Sequence, residues 1–141
     1  MGGLRGLAFA ELTKAVITRL KASAYTSSYS IYGYVPDSAS FPYIVVSTIS
    51  GVKSISFDSR SAEYEDNIVT IHVYSSYRGD KEATQMMEDC NQAISSSTLS
   101  VTGYRIAMQE MESAVLFVDD TDSTNLIRHG VIEWRFHMAT T

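Results

Sequence analysis

The chain has 141 residues and carries 16 Asp and Glu against 11 Lys and Arg, a formal net charge of −5. Residues 1–141 read as a single domain, because one core usually serves about 100–200 residues and 45% of this chain is apolar. The negative charge disfavours a protein that grips nucleic acid through many phosphates, and the lone Cys90 excludes an internal disulfide or a cysteine-based zinc site.

The start Met1-Gly2-Gly3-Leu4-Arg5-Gly6 has Gly6 where a myristoylation site needs Ser or Thr. Glu11, Lys14 and Arg19 interrupt any signal-peptide apolar core, and no run of 18 apolar residues suits a transmembrane helix. Phe9, Leu12, Val16 and Leu20 recur every three or four residues, which predicts an amphipathic helix over 8–23. A short strand is expected over 29–35, stopped by the turn signal Pro36-Asp37. Residues 43–50 and 67–74 are rich in β-branched side chains and predict two neighbouring strands.

Between them, residues 51–66 are serine-rich and mixed in charge, with Ile55 and Phe57 on one parity. This segment predicts a projecting hairpin or loop outside the core. Asp80 and Glu82 suit the first turn of a second helix reaching about Ser95, with Ala83, Met86 or Met87, Cys90, Ala93 and Ile94 as its buried stripe. Two further strands, about 103–113 and 125–138, are expected to be joined by residues 114–124. In the last, Ile132, Trp134, Phe136 and Met138 share one face, predicted to be buried, and His129, Glu133, Arg135 and His137 the other. The order α-β-β-β-α-β-β suits an α+β fold, two helices packed on a mainly antiparallel sheet of about five strands.

No pattern of chemistry emerges. His129, Glu133 and His137 are a metal-like set, but four residues along a strand span about 13 Å, so they cannot converge on one ion. The acidic run at 119–124 opens like a calcium loop, yet with Asp120 first the sixth position is Asn125 and the twelfth Val131. GxSxG, P-loop and GxGxxG patterns are lacking, and acid pairs such as Glu110 and Glu112 occur in any acidic protein. Glu88 and Asp89 disfavour a thiolate at Cys90. The expectation is a protein without catalytic residues, metal or cofactor.

Several stretches carry a resemblance. A helix leads into "YVPD" and "SFPYIVVSTISG"; "NIVTIHVYSSYRGDKEATQMMEDCNQAI" passes from alternating strand through a Ser/Tyr turn into an acid-started helix; "GYRIAMQEM" and "HGVIEWRFHM" follow as strands. In order and texture, from residue 36 to 138, the chain resembles the tail-completion and tail-terminator proteins of long-tailed bacteriophages. That resemblance implies a virion protein at the head-proximal end of the tail, forming a homohexameric ring that stops tail-tube polymerisation. It implies contacts with the tail tube protein and with a head-completion or connector protein, and genomic DNA passing through the lumen without specific binding. A net acidic lumen suits such passage. The alternatives are a head-completion or neck connector on the portal side or, in another class, a small monomeric ligand-binding domain or enzyme.

Thirteen of the 16 acids fall in residues 58–66, 80–89 and 110–122, whereas the first 22 residues carry Arg5, Lys14, Arg19 and Lys21 against Glu11. Such polarity suits head-to-tail contact between copies, which nominates Arg5, Lys14 and Arg19 with Asp119, Asp120 and Asp122 as ring-contact charges. Lys53, Ile55, Phe57, Asp58 and Arg60 of the serine-rich segment are the candidate contacts to a neighbouring subunit or the tail tube.

Overall fold

A computed structural model describes residues 9–55, 63–77, 79–120 and 126–140. The elements follow in the expected order: α1 (Phe9–Ala22), β1 (Ser30–Tyr32), β2 (Tyr43–Ile55), β3 (Glu63–Ser75), α2 (Lys81–Ser95), β4 (Tyr104–Asp120) and β5 (Leu126–Thr140). The five strands form one sheet in the order β1-β2-β3-β5-β4. All neighbours are antiparallel except β1 and β2. The fold is α+β, with both helices on one face.

Leu12, Val16 and Leu20, one turn apart, are fully buried along α1, and Ala83, Met86, Cys90, Ala93 and Ile94 form the buried stripe of α2. Both stripes meet the alternating strand positions Ile44 and Val46, Val69, Ile71 and Val73, and Ile132, Trp134, Phe136 and Met138 in one core cluster. The predicted buried face of β5 is therefore the observed one. Each fully buried large apolar side chain there contributes about 1.5–3 kcal/mol. Gly130 continues that face, and a Cβ there would lie 2.5 Å from Met87 Sδ and 2.7 Å from Val73 Cγ2, so its missing side chain is what lets α2 approach β5.

Two expectations are corrected. Residues 114–124 were expected only to connect strands, but β4 runs on to Asp120, because Val115, Leu116, Phe117 and Val118 keep pairing with Val131, Gly130, His129 and Arg128. Bulges between Ile106 and Met108 and between Met111 and Ser113 shift its register. The first strand is only Ser30–Tyr32, since Tyr34 is already 86% exposed and the chain turns at Pro36. The serine-rich segment, expected as a projecting hairpin or loop, carries the antiparallel ladder of β2 and β3 as far as Ile55 and Glu63. Gly51 pairs with Asn67 and Ile55 with Glu63, level with the pair Tyr64–Ala139 on β5. Glu65 is buried.

The end of α2 is held from outside. Its last turn has no basic residue of its own to meet the unpaired carbonyls. Arg19 of α1 supplies the donors, reaching the carbonyls of Ala93 (3.1 Å), Ile94 (3.2 Å), Ser97 (3.1 Å) and Thr98 (3.2 Å). Gln109 of β4 also donates to the Ile94 and Ser97 carbonyls and accepts from the Leu99 N–H. Gly103 at φ 83°, a left-handed turn position suited to glycine, then leads into β4. At the other end of α2, Asp80 makes no side-chain cap. Its carboxylate accepts from Arg128 Nε at 3.1 Å instead.

Candidate functional site

Among the described residues, no helix covers the second face of the sheet. Strand alternation places on it the residues whose neighbours point into the core, and the register sorts them into rows across the strands. Tyr43, Tyr74, His129 and Phe117 form one row over β2, β3, β5 and β4. Their rings follow one another at centroid distances of 4.9, 4.4 and 5.9 Å, and Phe41 stacks on Tyr43 at 5.3 Å. The next row is Val45, His72, Val131 and Val115, and beyond it lie Thr70, Glu133 and Ser113.

His72 and His129 are diagonal neighbours, with Nδ1 of the first 2.9 Å from Nε2 of the second. One of these nitrogens donates its N–H and the other accepts, so the accepting ring must be neutral. Burial, followed by the charge of His129, holds the His72 pKa below its ordinary value. At the far end of the face, Arg135 forms ion pairs with Glu112 (2.9 Å) and Asp66 (3.5 Å), and Ser113 donates to Glu133 at 3.1 Å. Phe41, Met108, Val115 and Phe117 are all more than a third exposed.

The sequence-predicted residues are dispersed. Lys53 and Ile55 lie on β2, paired with Glu65 and Glu63, while Phe57, Asp58 and Arg60 lie outside the described residues. Arg5 and Asp122 also lie outside them, and Asp119 and Asp120 end β4 opposite Ile127 and Leu126. Lys14 and Arg19 do come together, on an open cleft of about 410 Å³ between α1 and the 96–102 connection, but Arg19 is engaged by the α2 carbonyls. Cys90 is buried, and burial with the charge of Asp89 pushes its thiol up to about 12. His129, Glu133 and His137 are spread along β5, and among the described residues no three His, Cys, Asp or Glu side chains gather as a metal site.

Sequence reasoning missed the aromatic row and the histidine pair. Both histidines were on exposed parities, but only the β3–β5 register makes them neighbours. What the face offers is aromatic area with ion pairs at one end, the composition of a docking surface.

The family model for tail completion protein gp17 matches residues 14–138. The chain belongs to that family. It is a structural tail-completion protein of a phage virion, the role that the resemblance implied. Among the solved structures that share the fold of this tail-completion protein are two with named sources. A chain from the virion of a native gene transfer agent particle superposes with a TM-score of 0.74 at 16% identity, covering 95% of this chain and 99% of that one. The gp17 protein of bacteriophage SPP1 superposes with a TM-score of 0.59 at 22% identity, covering 95% and 94%. No curated protein matches by sequence.

Proposed function

We propose that copies of this tail-completion protein close into a hexameric ring at the head-proximal end of the tail, ending growth of the tail tube and joining tail to head. DNA passes through the hole without specific binding, and no catalysis, metal or cofactor takes part. The observation that carries the reading is the family match over residues 14–138 together with the uneven charge of the subunit. Lys14 and Lys21 on α1 and Asp119 and Asp120, the last residues of β4, are of opposite sign, so oppositely charged segments can meet in a head-to-tail contact that closes by rotation. Residues 56–62, with the ends of β2 and β3, reach the tail tube or a neighbouring subunit through Lys53, Ile55, Phe57, Asp58 and Arg60.

Electron microscopy and native mass measurement of the purified protein, alone and with tail tube protein, test this. Six-fold rings on tube ends are expected, and association should weaken as salt rises. A chain that stays monomeric in both conditions overturns the reading.

A further inference from the structure

The uncovered sheet face differs from a merely solvated one. Antiparallel sheets that face water alternate apolar-in and polar-out, but here Phe41, Met108, Val115 and Phe117 stand 38–49% exposed around half-buried Tyr43, Tyr74 and Val131. From Met108 to Phe117 the face runs about 30 Å, and from β4 to β2 about 14 Å. That is roughly 400 Å² of plan area before side-chain relief, a large part of the ~800 Å² each partner gives to a standard interface. Asp66, Glu110, Glu112 and Glu133 against Arg105 and Arg135 leave it acidic as well.

The outward side of α1 has the complementary character. Exposed Ala10 and Thr18, beside half-buried Thr13 and Ile17, give it small and apolar relief, and next to the single acid Glu11 both Lys14 and Lys21 stand exposed with no ion-pair partner among the described residues. We infer that the uncovered sheet face, on its β4–β5 side, seats the outer face of α1 from a second copy, with Lys14 of that copy opposite Glu110 and Glu133. The inference rests on the ring reading but seats Lys14 against Glu110 and Glu133, in place of the pairing with Asp119 and Asp120 at the end of β4.

Helix on sheet completes the covering that, among the described residues, this sheet has on one side only. The contact joins two different patches, so it propagates from copy to copy. Strands twist by about 20–25° per step, so the sheet normal at β4 is turned by about 60–75° from that at β2, over which α1 lies. The two patches are therefore not back to back. Copies stacked this way turn at each step, as a closed ring of about six requires.

Cysteine pairing tests the contact in the assembled protein, because the one native thiol, Cys90, is buried. With Ala10→Cys and Val115→Cys in one chain, mild oxidation of the rings should give a ladder of covalent multimers, absent from either single variant. Separately, Lys14→Glu should weaken assembly on the order of tenfold, and Glu110→Lys in the same chain should restore it. Rings that form without the ladder and without charge rescue overturn this inference while leaving the ring intact. A chain that forms no ring at all, alone or with tube, overturns both.

Discussion

Trp134 donates its indole N–H to Asn91 Oδ1 at 2.9 Å, tying the centre of β5 to α2 through the only tryptophan in the chain. The ring is 5% exposed and stacks on Phe136 at 6.2 Å. Trp134→Ala removes packing and leaves Asn91 without this donor, so a loss of about 3–5 kcal/mol is expected in denaturant melts. Glu133→Ala and His137→Ala, on the uncovered face, should lose far less. Equal losses at all three positions would contradict the assignment of faces.

The alternation that placed Trp134 inward was plain in the sequence, as were both helical stripes, because burial on one face imposes a period that any reader can count. Register was not plain. Nothing local to His72 and His129 says that β3 and β5 are neighbours, since β4 is hydrogen-bonded to β5 and the chain order is not the sheet order. The acidic run after Val118 made residues 114–118 read as the approach to a turn, although their apolar character was already that of a strand. Sequence alone nominates Arg19 as a ring-contact charge, because its partners are carbonyls 74–79 residues away, which leave no trace in side-chain identity.

That clamp yields a second prediction. Arg19→Ala takes the donors from the carbonyls of Ala93, Ile94, Ser97 and Thr98, and hydrogen bonds from a charged donor are worth about 1.5–3 kcal/mol. Arg19→Lys should recover only part of the loss, because an ammonium cannot reproduce the planar fork. Hydrogen exchange should show the effect first at the last turn of α2. If Arg19→Ala melts like the wild type, the clamp is dispensable.

The histidine pair makes stability depend on pH. The pKa of His72 is lowered in the folded protein by burial and by His129, so the unfolded chain binds more protons in the window between the two values. Stability is therefore complete above the ordinary histidine value of about 6.5 and falls as pH drops below it towards the folded pKa. Protonation of both rings would also set two N–H groups against each other across 2.9 Å. Urea midpoints measured at pH 7.5 and 5.5 should differ more in the wild type than in His72→Gln. An unchanged pH slope in that variant would assign the dependence to other groups.

The last prediction concerns the serine-rich segment, whose boundaries the ladder redraws. Removing all of residues 51–66 would strip β5 of its partners Tyr64, Glu65 and Asp66 and expose the buried Glu65–Met138 pair, so that excision should damage the fold. A narrower cut keeps the sheet whole. Joining Ser54 to Tyr64, which face each other across β2 and β3, through Asn-Gly replaces residues 55–63 with a two-residue turn suited to a hairpin. The subunit should fold with a melting midpoint close to wild type. Because Ile55 and Phe57 are too apolar to stand idle beside serines and charges, their removal should abolish capping of tail tubes or joining to heads. Full assembly activity in the shortened protein would show that these residues serve no contact, and loss of folding would place them in the core.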